Sequence, residues 1–114
     1  MRKVNSTNTI NKNQLEVNCG MAYTISAIGG RWKLSILGFL LDVDTLRFSE
    51  LKGKIPNISE RMLVKQLKEL ETDGLINRVV YPEVPSRVEY SLSVKGKSLE
   101  EILLGMSKWG ERNR

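Results

Sequence analysis

The stretch from Ile58 to Tyr81 constrains the fold of this chain most strongly, because a capped amphipathic helix is followed there at once by a strand. Leucines recur in it at intervals of three and four residues, so they share one helix face that must be buried. These leucines are Leu63, Leu67 and Leu70. Ser59 is a favoured N-cap residue, since its hydroxyl can accept a backbone N–H. The pattern predicts a helix from Ser59 to Asp73.

The opposite face of this predicted helix is basic. At ~100° per residue, the side chains farthest from the leucines are Arg61, Lys65 and Lys68, with Met62, Gln66 and Glu69 beside them. Arg, Lys and Gln on such a helix can meet base edges and phosphates in a DNA major groove. Lys and Glu are also common on solvated helix faces, and the helix by itself favours that simpler interpretation. The neighbouring segments must decide between the two.

The size and charge of the chain narrow its class. Its 114 residues fit one domain, small enough that oligomerisation would help to stabilise it. The formal net charge of +5 favours an anionic partner such as nucleic acid, although charge alone does not decide this.

Several functional classes lack the residues that they need. Histidine is absent and Cys19 is the single cysteine, so the commonest general base and the usual ligands of a zinc site are missing. The chain has no glycine-rich nucleotide-binding motif. We therefore expect no enzyme activity, no cofactor and no metal. An apolar run of about 18 residues and a signal-peptide core are also missing, and a lone thiol fits a reducing compartment, so we expect no membrane association and a cytoplasmic location.

The segments before the basic helix predict a helix-turn-helix unit. Residues 1–17 have the composition of a flexible arm, and 18–114 form the expected domain. Helices are predicted over 21–28, ended by a Gly-Gly pair, and over 31–41, which is apolar on much of its circumference. Residues 42–46 have the pattern of a turn, residues 47–48 are predicted as a short extended segment, and Ser49 is a candidate N-cap for a helix through residue 54 or 55. The proline turn after it leads into the basic helix.

A two-stranded hairpin is predicted directly after the basic helix. Gly74 suits the helix end, and the strands 76–81 and 87–92 are separated by the stiff loop PEVPS. A hairpin at this place is the wing of a winged helix, where Arg78 and Arg87 could contact phosphate or enter the minor groove. Strand cations can equally be solvated. The conjunction of basic helix, glycine stop and cationic hairpin nevertheless favours DNA binding, because each unit fits the same docking geometry.

The last segment predicts one helix from an N-cap at Ser93 through about Gly110, with an apolar stripe on one side. A domain this small offers little core to cover that stripe, so we expect a second subunit to cover part of it; ordinary packing within the chain is the alternative. The predicted dimer residues are Met21, Tyr23, Ile25, Leu99, Ile102, Leu103, Met106 and Trp109. Two-fold symmetry would set two basic helices ~34 Å apart on a pseudo-palindromic site.

The chain resembles the HxlR-type winged helix-turn-helix regulators of bacteria, which are related in fold to the MarR regulators. Three segments carry the resemblance: GGRWKLSIL at 29–37, RFSELKGKIPNISERMLVKQLKELETDGLI at 47–76 and YPEVPSRVEYSL at 81–92. It covers roughly residues 19–109. The resemblance implies a homodimeric DNA-binding transcriptional regulator, in which the first and last helices form the dimer and the Ser59 helix enters the major groove.

The resemblance also gives Cys19 a candidate role. Members of the family typically carry a cysteine just ahead of the first helix, and in some of them it senses oxidants, quinones or aldehydes. A thiolate near a helix N-terminus is favoured by the helix dipole, which makes sensing chemically reasonable. However, many buried cysteines are inert, and Gly20 stands here where the family pattern usually has proline. Both alternatives stay open.

We therefore predict a mainly α-helical domain with a small β-hairpin, an α+β winged helix-turn-helix with N- and C-terminal dimerisation helices. We expect a homodimeric transcriptional repressor that binds double-stranded DNA. The candidate signals for its release from DNA are modification of Cys19 and binding of a small molecule. The predicted DNA contacts are Ser49, Ser59, Arg61, Met62, Lys65, Gln66, Lys68, Arg78 and Arg87. The alternatives are a winged-helix protein-interaction module that binds no DNA and, less favoured, a redox or ligand-binding enzyme.

Overall fold

A computed structural model describes residues 19–114, and the arm predicted over 1–17 lies outside the described residues. The first helix, α1, covers 19–28. The following elements are α2 (Arg31–Asp42), β1 (Leu46–Arg47), α3 (Phe48–Lys54), α4 (Glu60–Thr72), β2 (Ile76–Tyr81), β3 (Arg87–Leu92), α5 (Val94–Lys97) and α6 (Glu100–Asn113). The predicted class, helices with a small antiparallel sheet, is confirmed. In this part of the chain no helix is long and apolar enough to cross a membrane.

Helix α2 forms the centre of the core, as its apolar circumference predicts. Gly30 precedes it with a φ of 97°, which a side-chain-bearing residue adopts only with strain, and this conformation separates α1 from α2. The residues of α2 that are fully enclosed are Ile36, Leu37 and Leu40. They belong to one core with apolar side chains from α3, α4 and the sheet, including Leu51, Leu63, Leu67, Leu70, Ile76 and Leu92. One continuous core therefore fixes the positions of α3, α4 and the sheet.

The sheet has three strands, so the prediction of a two-stranded ribbon is wrong. Strand β1 pairs antiparallel with β3, Leu46 opposite Tyr90, and gives the order β1-β3-β2. Leu46, predicted as part of a turn, is instead buried in this strand. Arg47, predicted as part of a short extended segment over 47–48, does lie in β1, whereas Phe48 begins α3. A strand of two residues is too short to show an alternating pattern, so its pairing with β3 could not be predicted. The limits of β2 and β3 are those predicted.

The predicted N-cap at Ser49 is also wrong. The cap is Arg47, two residues earlier than predicted, and its backbone N–H donates to Glu50 Oε1 at 2.8 Å. A carboxylate at the third helical position can satisfy the backbone N–H of the cap residue, so no Ser or Thr cap is needed. Ser49 is left exposed in the first turn. Leu51 and Ile55 of this segment are buried in the core.

The C-terminal segment is two helices and not the single one predicted. Ser93 is an N-cap, with its Oγ accepting the N–H of Gly96 at 3.0 Å, but the helix it begins, α5, ends at Lys97. Gly96 is buried so closely against the carbonyl of Leu75 that a side chain there would clash with it. The chain then turns at Ser98 and Leu99 before α6 begins. Periodicity alone missed this break because apolar spacing continues across it.

Candidate nucleic-acid interface

The start of α4 is fixed by its cap. The Ser59 side chain accepts the backbone N–H of Met62 at 3.0 Å, as predicted for an N-cap. Just ahead of it, Asn57 takes a φ of 67°, a left-handed conformation that asparagine tolerates better than most residues. Ile58 and Leu63, which flank the cap, are both buried in the core. The first turn of α4 therefore has a defined direction relative to the domain.

The end of α4 is equally well defined. Gly74 has a φ of 77° and donates its N–H to the carbonyl of Glu71 at 2.9 Å, while the N–H of Leu75 reaches the carbonyl of Leu70 at 2.9 Å. This pair of hydrogen bonds is a Schellman motif, and it satisfies carbonyls that the helix end leaves unpaired. The predicted glycine stop is confirmed. Leu75, buried directly afterwards, anchors the turn into the wing.

The outward face of α4 is cationic. Its leucine face is buried, and Arg61, Lys65 and Lys68 are exposed on the other side. Within residues 19–114 none of these three cations forms an ion pair, so their charge is available to a partner. A face with three available cations on a rigid helix suits a polyanionic partner.

An ion pair that was not predicted from the sequence joins α4 to α2. Lys33 Nζ lies 2.8 Å from Glu69 Oε1, and the Lys33 side chain is only 11% exposed. The hydrogen bond and charge of Lys33 lower the pKa of Glu69 below its ordinary value. The carboxylate beside the cationic face is thus occupied by an inward partner. The two residues are far apart in sequence, and no local pattern links them.

Met62 and Gln66 lie at the edge of the exposed face. Both side chains are half-buried, and Gln66 Nε2 donates to Met62 Sδ at 3.2 Å. They are less accessible than the three cations. Ser49 and Ser59 are exposed near the N-terminal ends of α3 and α4, although the Ser59 hydroxyl already serves as the cap.

The two wing arginines have different surroundings. Arg87 is half-buried, and its guanidinium lies 3.1 Å from Glu83 and 3.5 Å from Glu89, with its centre 4.0 Å from the centroid of the Tyr81 ring. Arg78 is exposed and lies opposite Tyr90 in the β2–β3 register. Arg87 is therefore engaged inside the wing, and Arg78 is the more available of the two.

A groove of about 480 Å³ separates the wing from α4. Its lining residues are Phe48, Val64, Leu67, Lys68, Glu71, Arg78, Val88 and Tyr90. Lys68 and Arg78 lie on its two sides, so the structure brings together one cation of the helix and one of the wing. Sequence spacing could not predict this juxtaposition, because it depends on how the hairpin folds back over α4.

The predicted dimer residues divide into two groups. Met21, Tyr23 and Ile25 on α1 are exposed, as are Ile102, Met106 and Trp109 on α6. Leu99 and Leu103 instead pack partly against the core of the same chain. Exposed large apolar side chains on a helix are suited to association with a partner.

Cys19 lies within α1, whereas a position just ahead of the first helix was expected. Its thiol is free and exposed. Tyr23 follows it by four residues, so the two side chains lie on the same side of α1. Among residues 19–114, no group of three or more His, Cys, Asp or Glu side chains is placed to hold a metal ion.

Comparisons with known proteins agree with this geometry. The profile of the HxlR-like helix-turn-helix proteins matches residues 27–114 and so leaves Cys19 outside the match. An uncharacterized HTH-type transcriptional regulator from Methanothermobacter thermautotrophicus is 51% identical over 96 residues, which are 84% of this chain and 72% of that protein. Among solved structures, the redox regulator HypR in its oxidized form has a TM-score of 0.79 and 46% identity, over 84% of this chain and 98% of that one.

A structure assigned to the MarR family, from Porphyromonas gingivalis W83, has a TM-score of 0.79 and 36% identity, over 99% of this chain and 100% of that one. This agrees with the expected relation in fold. An enzyme, or an interaction module that binds no DNA, does not fit a family of DNA-binding regulators. The winged helix, its cationic α4 and the match over 27–114 together show that this chain is a DNA-binding transcriptional regulator of the HxlR-like helix-turn-helix family.

Proposed function

We propose that this regulator is a homodimeric repressor whose α4 enters the DNA major groove. The observation that carries the proposal is the exposed cationic face of α4, held at one end by the Ser59 cap and at the other by the Gly74 turn. Occupation of an operator by such a dimer would repress transcription by excluding other proteins from the same DNA.

The α4 side chains divide into base and phosphate contacts by their position. Arg61 and Lys65 lie in the first half of the helix, where a recognition helix meets base edges, and we assign them to bases. Lys68 and Arg78 flank the groove below the wing, and we assign them to phosphate. We assign Met62 and Gln66 to contacts at the edge of the exposed α4 face, and Ser49 and Ser59 to contacts with the adjacent DNA backbone. Arg87 is assigned to the wing contact, where it also shapes the hairpin through Glu83.

The exposed apolar side chains of α1 and α6 are the proposed dimer interface. Trp109 and Ile25 are each 66% exposed, and Met21 is 69% exposed, which is unfavourable for large apolar groups unless a partner covers them. Burying these faces against their symmetry mates forms an isologous interface. The two copies of α4 would then meet successive major grooves ~34 Å apart.

The proposed signal acts on α1. The exposed Cys19 thiol is open to oxidants and electrophiles, and it lies on the helix that we assign to the dimer. The similar structure of HypR is named as a redox regulator, which supports a thiol-based signal here. A small molecule that enters the interface would be the other route to release, since any ligand with different affinity for the two states shifts their populations.

A DNA-binding measurement tests the α4 assignment. The double variant Arg61→Ala and Lys65→Ala should bind a duplex, selected by the wild-type protein from a randomised library, about thirtyfold more weakly or worse. This follows from ~1–3 kcal/mol for each of the two specific contacts. It should also lose discrimination between that duplex and a scrambled one. The control is Lys97→Ala with Lys108→Ala, which removes the same charge from α5 and α6. Equal affinities for the two double variants would refute the assignment.

A further inference from the structure

Lys95 joins three elements that are distant in the chain. Its Nζ donates to the hydroxyl of Tyr23 at 2.8 Å and to the backbone carbonyl of Asp73 at 2.9 Å. The ammonium also lies 5.5 Å from the centroid of the Tyr23 ring. Tyr23 belongs to α1, Lys95 to α5, and Asp73 is the C-cap of α4. One side chain therefore links the proposed dimer helix to the end of the proposed recognition helix.

The backbone that carries Lys95 is firmly seated on the α4 end. Ser93 Oγ donates to the carbonyl of Gly74 at 2.5 Å, and the Ser93 N–H reaches the carbonyl of Leu75 at 3.0 Å. Gly96 leaves no space between α5 and Leu75. The start of α5 and the end of α4 thus form one unit, and the Lys95 ammonium connects this unit to α1.

The charge of Lys95 suits its place. The C-terminal end of a helix carries partial negative charge on its unpaired carbonyls, and a lysine there is a favourable partner. The same ammonium has a further donor for the Tyr23 hydroxyl, so it can hold both groups at once. The contact is exposed, and its geometry depends on the distance between α1 and the end of α4.

We propose that Lys95 is a positioning residue for DNA binding, which sets the orientation of α4 relative to α1. This inference rests on the proposed dimer, because α1 of each subunit is then fixed at the two-fold axis. The Lys95 contacts consequently set the separation of the two recognition helices. Cys19 lies one turn before Tyr23, so a group attached to its thiol lies beside this contact and can displace the tyrosine.

The test compares Lys95→Met with Lys97→Met, which removes the same charge from the same short helix. The probes are the duplex selected by the wild-type protein, one half-site of it, and versions with one or two base pairs inserted between the half-sites. Lys95→Met should bind the selected duplex about tenfold more weakly, ~1.4 kcal/mol, and the half-site within about twofold of wild type. It should also lose most of the preference for the selected spacing, whereas Lys97→Met should keep it.

The variant Tyr23→Phe serves as the second probe, because it removes one hydroxyl and leaves the Lys95–Asp73 contact in place. It should reproduce the change in spacing preference, and its effect should not add to that of Lys95→Met in the double variant. A folded Lys95→Met or Tyr23→Phe protein that keeps the wild-type spacing preference overturns the inference. Equal losses on half-site and full-site duplexes also overturn it, since they indicate a general loss of binding.

The inference and the proposed function fail in different ways. If wild-type protein prefers one spacing and the variants prefer it equally, Lys95 has no positioning role and the dimeric repressor stands. If wild-type protein binds the full site no better than a half-site, the dimeric proposal is wrong and the inference falls with it.

Discussion

Replacement of Ser59 by alanine should destabilise the domain, whereas the same replacement at Ser49 should not. The Ser59 hydroxyl accepts the Met62 N–H at 3.0 Å, and alanine removes this acceptor. Loss of a serine N-cap typically costs ~1 kcal/mol of the free energy of unfolding. For a domain of this size that corresponds to a melting temperature lower by roughly 4–8 °C. Ser49 lies within α3, whose cap is Arg47, so Ser49→Ala should change the free energy by less than ~0.5 kcal/mol.

The pair of variants is measured by thermal and urea unfolding at one protein concentration, because the stability of a dimer depends on concentration. Ser59→Asp keeps an acceptor at the cap and should recover most of the loss. The Ser59→Ala protein should also bind the selected duplex more weakly, since the frayed turn carries Arg61. Equal stabilities of the Ser59→Ala and Ser49→Ala proteins would refute the cap as the element that fixes α4.

Three further predictions concern charge and the thiol. Lys33 lowers the pKa of Glu69, so the wild type should be more stable than Glu69→Gln above pH 4.5, the ordinary pKa of Glu, and this advantage should disappear as the pH falls through the lowered pKa. A difference in free energy of unfolding that stays constant over the same pH range would contradict this. Treatment with diamide should change DNA affinity in the wild type and not in Cys19→Ser, and equal responses would remove Cys19 from the mechanism. Arg78→Met should reduce the slope of log affinity against log salt concentration by ~0.9 per lost phosphate contact. Arg87→Met should reduce this slope less, because Glu83 and Glu89 already pair with Arg87, and the reverse order would exclude the assigned roles.

The parts of the fold that could be predicted from the sequence are those that depend on neighbouring residues. The cap at Ser59, the proline turn ahead of α4, the stop at Gly74 and the ends of both wing strands follow from residue types over a few positions. The leucine face of α4 follows from helical period. These features combined into the right helix-turn-helix order, and the family comparison agrees with it.

The parts that sequence missed depend on contacts between distant residues. Strand β1 pairs Leu46 with Tyr90, and α5 packs its buried Gly96 against the carbonyl of Leu75. Neither contact leaves a periodic trace in the sequence. The same holds within the interface, where the Lys33–Glu69 pair and the Lys95 contacts link separate helices. Arg87 has the residue type of a phosphate contact, but only the folded wing surrounds it with two carboxylates.

Methylation interference on the selected duplex tests most directly whether two α4 helices enter the major groove. Methylation of guanine N7 blocks contacts in the major groove, and methylation of adenine N3 blocks those in the minor groove. We predict two clusters of N7 interference related by two-fold symmetry, with centres about 10 base pairs apart. In the Arg61→Ala protein, interference should weaken at the base that Arg61 contacts. A single cluster, or interference confined to the minor groove, would contradict the account.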